Sequence, residues 1–151
     1  NPSIPLRRPD SHPEKEVAKQ WRKPHIYSPA DVRRMLDIAR SYPSPRAPLR
    51  PLSIYTMLLL AYCAGLWRGE LARLDLGDID LQGGTITVRQ TKFFKTRILP
   101  LPDSVIAELR AYIDARRRAG ASQDPRSGLF WHEQRSARYT KEAIAWLLVD
   151  V

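Results

Sequence analysis

The stretch AYCAGLWRGELARL, residues 61–74, places Trp67, Arg68 and Glu70 side by side. A guanidinium is a planar fork of donors shaped for a phosphate or a carboxylate. An indole carries no charge and a single N–H, so it cannot do that work. Further along, VRQTKFFKTR brings Arg89, Lys92, Lys95 and Arg97 into ten residues. A lysine held away from water can have its pKa moved into the range useful for proton transfer. A third basic group, Arg138, Thr140 and Lys141, opens the last apolar segment, and Arg22 and Lys23 form a fourth. Each has a plainer reading. Glu70 is also a fair helix-surface acid or capping partner, Lys92 a solvated hairpin charge, and Lys141 the basic start of a surface helix.

The balance of charge favours the reading in which these cations meet a polyanion. The chain has 151 residues, a formal net charge of +9 and a pI of about 10.1. Cations on such a chain gain by displacing counterions from phosphates. Metal chemistry is not indicated. Cys63 is the single cysteine, and His12, His25 and His132 stand apart, so no zinc-type spacing exists and no cofactor is implied. The apolar run from Ile54 to Trp67 is too short to cross a bilayer, and the N-terminus lacks the apolar core of a secretion signal. A cytoplasmic protein with no membrane partner is expected.

The elements that must position these groups follow from periodicity and punctuation. Residues 1–26 hold five prolines among many charges and read as a basic linker or arm; residues 27–151 read as one domain. In SPADVRRMLDIARSY, Ser28 is an N-cap, Pro29 suits the first helical position and Asp31 completes a capping box. Val32, Met35, Leu36 and Ile38 supply its apolar stripe. Four prolines in PSPRAPLRP, residues 43–51, break this helix. LSIYTMLLLAYCAGL is apolar nearly all round, which predicts a buried central helix ended by Gly65. RGELARLDL continues as a shorter helix. The period then becomes two: Ile79 and Leu81, Ile86 and Val88, Ile98 and Leu101 predict three short strands with a hairpin tip at Lys92 to Lys95. Asp103 caps a helix on Val105, Ile106, Leu109, Tyr112 and Ile113, whose Arg116, Arg117 and Arg118 read as a solvated end favoured by the dipole. Leu129, Phe130 and Trp131 anchor the core, and Thr140 caps KEAIAWLLVDV. The class is α+β, mainly helical, with a small three-stranded antiparallel sheet.

In this order, G-L-W-R-G-E-L, the L-x-x-x-D-I-D-L after it, the hairpin T-I-T-V-R-Q-T-K-F-F-K-T-R-I-L-P-L and the helix that follows resemble the tyrosine recombinase (phage integrase) catalytic domain over residues 26–151. The resemblance implies a metal-free reaction in which a tyrosine attacks a DNA phosphodiester and leaves a 3′-phosphotyrosyl link. It implies two arginines on the phosphate, a hairpin lysine as acid for the 5′-oxygen, and histidines that assist. Carried over, the first arginine of G-L-R-x-x-E falls on Trp67, the buttressing acid on Glu70 and the hairpin lysine on Lys92. Arg68 occupies a variable position, one residue and about 100° round a helix. It can substitute only if the backbone unwinds after Gly65. The H-x-x-R box and the nucleophilic tyrosine that belong after the last helix fall past Val151, so the domain is expected to be truncated at its C-terminus.

The expectation is therefore a site-specific recombinase or integrase domain that is catalytically incompetent as it stands and retains duplex DNA binding. Trp67 is expected to pack as core, its ring filling the cleft. The hairpin, with Arg89, Lys95 and Arg97, would approach the minor groove. Arg138, Thr140 and Lys141 would face the major groove, and Arg22 and Lys23 would touch the backbone. Two rivals stand beside this. The chain is part of a longer active recombinase, or it is a non-catalytic module that associates with itself or an intact recombinase through the apolar face of AIAWLLVDV.

Overall fold

The computed structural model describes residues 28–90 and 95–149; Arg22, Lys23 and Lys92 lie outside them. The chain divides into two units, residues 1–31 and 32–151, and helix α1 begins in the first and continues in the second. Helix α1 spans Pro29–Arg40. Its start is the expected capping box: Asp31 N–H donates to Ser28 Oγ at 3.1 Å and Ser28 N–H to Asp31 Oδ2 at 3.2 Å. The buried stripe differs by one residue from expectation. Val32 and Ala39 are buried while Ile38 is 46% exposed. The 32–36–39 spacing keeps one face, and Ile38 falls a third of a turn off it.

Helix α2, Arg50–Ala64, starts two residues earlier than expected, because Pro51 sits in its first turn, where a missing N–H costs nothing. Ser53, Ile54, Thr56, Met57, Leu59 and Leu60 are buried along it. The two hydroxyls are satisfied within the helix, Ser53 Oγ donating to Leu49 O at 3.0 Å and Thr56 Oγ1 to Leu52 O at 2.7 Å. Gly65 ends the helix in the left-handed region, φ 67°, which costs a glycine little. Helix α3, Arg68–Arg73, follows after an extended turn, then a 3-10 turn, Leu76–Asp78.

Strands β1 (Ile79–Asp80), β2 (Thr85–Gln90) and β3 (Lys95–Pro100) form the antiparallel sheet in that order. Ile86 pairs with Ile79 on one side and Leu99 on the other; Val88 pairs with Arg97. Ile86 and Val88 are fully buried. Two details of the expected sheet are corrected. Lys95 is the first residue of β3, opposite Gln90. Ile98 is 67% exposed, because the inward face of β3 is taken by Leu99 and by Arg97, which has an ion-pair partner beneath the sheet.

Helix α4, Asp103–Arg118, has Pro102 as its N-cap, so Asp103 stands in the first turn and makes no side-chain cap. Val105, Ile106, Leu109 and Tyr112 are buried. The next residue on that stripe is Arg116, only 1% exposed, which overturns its reading as a solvated end. Its guanidinium donates to Leu129 O (3.0 Å), Ser122 O (2.6 Å), Ser127 Oγ (2.9 Å) and Gly128 O (2.8 Å). It staples the 121–129 segment to α4. Strands β4 (Trp131–His132) and β5 (Ala137–Arg138) make a short second hairpin, and helix α5 spans Lys141–Val149 with Thr140 Oγ1 accepting Ala143 N–H at 3.1 Å.

Tyr112 reports on this packing. Its hydroxyl donates to Leu129 O at 2.9 Å, and burial pushes its pKa up from 10.0 to about 12. The unfolded chain loses that proton near pH 10 while the folded chain keeps it. The stability tied to the neutral phenol is thus present below pH 10 and lost as pH rises towards 12. Urea unfolding from pH 9 to 12 should show this decline, and Tyr112→Phe should reduce it, leaving the share of Tyr55 and Tyr139, whose pKa values burial also raises.

Candidate functional site

Glu70 organises the region where Trp67 and Arg68 lie. Gly65 in the left-handed region redirects the chain, and Trp67 follows with extended backbone, φ −86° and ψ 162°, as the N-cap of α3. Glu70, at the third helical position and 6% exposed, reaches back so that Oε1 accepts Trp67 N–H at 3.0 Å. That is the carboxylate half of a capping box, stabilising a helix start that has no capping side chain of its own. Its other oxygen, Oε2, holds Arg97 Nη2 at 2.6 Å. One buried acid thus ties the α3 entry to strand β3.

The expected burial of Trp67 is overturned: it is 77% exposed. Because the residue caps α3 in extended conformation, its ring projects from a turn and not from the helix side that packs on α2. Arg68, the first residue of α3, is exposed and has no ion pair or side-chain hydrogen bond with any described residue. The extended turn before it is a local departure from helix.

The remaining basic candidates fall into two sets. Arg89 binds Asp75 Oδ2 (3.0 Å), Asp78 Oδ2 (2.8 Å) and Arg73 O (2.9 Å). Arg138 binds Asp75 Oδ1 (2.7 Å), Ala72 O (3.2 Å) and Arg126 O (3.0 Å). Asp75 therefore bridges β2 and β5 through two guanidinium groups, and with Arg97 held by Glu70, three candidate arginines have internal partners. Arg68, Lys95 and Lys141 form the other set, exposed and without ion-pair partners among the described residues. The stem of Lys141 lies over Gly69, where an added Cβ would stand 3.8 Å from Lys141 Cδ and 3.5 Å from Arg73 Nη1. Thr140 is occupied as the cap of α5.

Glu70→Gln is expected to keep the acceptor for Trp67 N–H but lose the charge that holds Arg97. With the acid buried and Arg97 half-exposed, a loss of about 1–2 kcal/mol in urea unfolding is expected.

Among the described residues no group of His, Cys, Asp or Glu is arranged to hold a metal ion, and no helix is long and apolar enough to cross a membrane. One grouping was not foreseen. Arg50, His132, Arg135, Tyr139 and Thr140 gather around a cavity of about 420 Å³. His132 and Arg135 do have H-x-x-R spacing, but they sit in the β4–β5 turn ahead of α5, not after it. The signal in the sequence was that spacing beside two more cations, and it shows only once the hairpin is folded against the start of α2.

Known proteins agree with this architecture. The chain matches the phage integrase family over residues 27–147. It is 81% identical over 106 residues to a Sinorhizobium fredii protein named "Uncharacterized protein y4gA", covering 70% of this chain and 57% of that one. It is 37% identical to the putative integrase/recombinase y4rB of the same organism, covering 72% of this chain and 35% of that one. The tyrosine recombinase XerA of Pyrococcus furiosus is 31% identical over 77% of this chain and 32% of its own. A crystal structure of XerA recombinase superposes with a TM-score of 0.67 at 26% identity, covering 84% of this chain and 42% of that one. The chain thus spans between about a third and somewhat over half of these relatives' lengths. With the family matched over residues 27–147 and the helices and small sheet of the fold in place, the chain belongs to the phage integrase family.

Proposed function

We propose that this chain is a duplex-DNA-binding part of a tyrosine recombinase domain that does not cleave DNA by itself. The observation carrying this reading is Trp67. The position that in the family motif supplies a phosphate-holding arginine presents an exposed indole, while the acid that braces the site, Glu70, is in place and engaged. Losing a guanidinium that stabilises charge on a transferring phosphoryl group costs about 10³–10⁵ in rate in well-studied phosphoryl-transfer enzymes. Binding does not need that constellation; it needs distributed cations. Arg68, Lys95 and Lys141 are the best-placed of these, with Lys92 on the hairpin and Arg22 and Lys23 in the basic arm of residues 1–26. Arg89, Arg97 and Arg138 shape the surface through their carboxylate partners and contribute charge from it.

The reading is tested by anisotropy of a fluorescent duplex across a salt series. Log affinity should fall linearly with log salt, and neutralising Arg68 and Lys141 together should reduce the slope by about two. A salt-independent or absent interaction would overturn it. A second reading is favoured by Trp146, 73% exposed on α5 beside the partly buried Leu147 and Leu148: a face for another protein or a second copy. Sedimentation showing a strict monomer at high concentration removes the second-copy form of it.

A further inference from the structure

The cavity between the start of α2, the β4–β5 turn and α5 lies apart from the Glu70 cluster in both residues and elements. It is lined by Arg50, His132, Arg135, Tyr139, Thr140 and Glu142, with Trp146 and Leu147 on the α5 wall. Its cations are only partly used. Arg50 Nη2 donates to Gln134 Oε1 at 3.3 Å and the guanidinium also acts on the Tyr139 hydroxyl, while Arg50 Nε is buried without a hydrogen-bond partner among the described residues. His132 Nδ1 is in the same condition, its ring set against Tyr139 at 4.8 Å between centroids. Arg135 is exposed at the rim and has no carboxylate partner among the described residues.

Unsatisfied buried polar groups are costly, and each calls for an explanation such as an ordered water, an ion or a functional role. Two guanidinium groups and an imidazole around one cavity supply donors and little acceptor capacity. Thr140 adds to this. Its oxygen accepts Ala143 N–H, so its own hydrogen is free to donate, and the first amides of the nine-residue α5 have no intrahelical acceptor by position. Burial, and after it the charges of Arg135 and Arg50, pull the His132 pKa below its usual range, against the opposing charge of Glu133. Glu142 is the one acid lining the cavity, and it is exposed. Glu133, whose Oε1 accepts Leu49 N–H at 2.6 Å, is near enough for its charge to act on His132 and Tyr139.

We infer that this cavity is a phosphate-binding site, distinct from the position a scissile phosphate would occupy, with Arg50, Arg135 and the Thr140 end of α5 as its donors. The duplex backbone is the phosphate source the charge of the chain favours. That source rests on the DNA-binding reading above, whereas the site itself does not.

Inorganic phosphate titrated into the ¹⁵N-labelled chain separates the two. Amide shifts should concentrate at residues 132–143, and Arg135→Gln, an exposed change, should weaken binding roughly tenfold or more, as expected for losing a charge-assisted contact. Arg50→Gln should do the same, and the unchanged amide spectrum of each variant elsewhere shows that it folds. No saturable shift up to tens of millimolar phosphate, or shifts centred elsewhere, would overturn the site. In the duplex arm, Arg135→Gln should lower the salt slope by about one. Phosphate binding with an unchanged slope would keep the site and reject the duplex backbone as its source. No duplex binding at all would reject the functional reading and leave the phosphate result standing.

Discussion

Arg116→Met should destabilise the chain by about 2–3 kcal/mol, a large part of what a domain of this size possesses. The side chain is 1% exposed, and all four of its hydrogen bonds run to neutral oxygens. No carboxylate pairs with it among the described residues, so its charge is held by dipoles alone. Methionine fills much of the volume but leaves the buried Gly128 carbonyl without its side-chain donor, at a cost of about 1–3 kcal/mol, and takes one of two donors from Leu129 O, which keeps Tyr112, and from Ser122 O, which keeps Ser127 Oγ. The Trp131 ring, with the guanidinium carbon 5.4 Å from its centroid, loses its cation as well. Arg116→Lys should be nearly as damaging, since one ammonium cannot span acceptors that a planar fork reaches together. Urea unfolding followed by circular dichroism measures both. Arg117→Met, on an exposed residue of the same helix end, should change little.

Trp67→Arg should act in the opposite domain, on binding and not on folding. An indole that is 77% exposed contributes little to the core, and the N-cap conformation accepts an arginine, so stability should change by no more than about 0.5 kcal/mol. The anchoring bond from Trp67 N–H to Glu70 belongs to the backbone and survives. The new guanidinium would stand beside the Glu70–Arg97 pair with no internal acid left to claim it. Duplex affinity should rise several-fold at low salt, with the salt slope steeper by about one. No covalent product should accompany it.

Much of the frame was legible before any coordinates, and the reasons are local. Ser28 with Asp31, Gly65 and Thr140 mark helix ends because each solves the problem of unpaired backbone groups within four residues of itself. Ile86 and Val88 alternate inward as expected of a half-buried strand. The misreadings share a different cause. Arg116 was read as a solvated end because its helix position allows it; the four acceptors come from a segment 6–13 residues further on, whose path no periodicity announces. Ile98 was given the inward face of β3, but Arg97 takes it, and the reason is a carboxylate 27 residues earlier. The apolar surroundings of Trp67 favour core packing for its ring, but the extended cap after Gly65 turns it outward.

The candidate site divides along the same line. That Glu70 caps the start of its helix is readable from its spacing to Trp67; its pairing with Arg97 is not. That Asp75 claims both Arg89 and Arg138 was not, since it depends on β2 and β5 converging on one acid. The cavity at Arg50 and His132 joins residues 82 positions apart, so the His132–Arg135 spacing by itself does not announce it.

With an indole at position 67 on the proposed reading, the chain is expected not to hold a phosphate for attack. Incubating the 151-residue chain with a nicked suicide duplex and resolving the products under denaturing conditions tests it most directly. Free protein and intact strands at all times are the expected result. A protein–DNA adduct resistant to denaturation, with a free 5′-hydroxyl on the released strand, would contradict it.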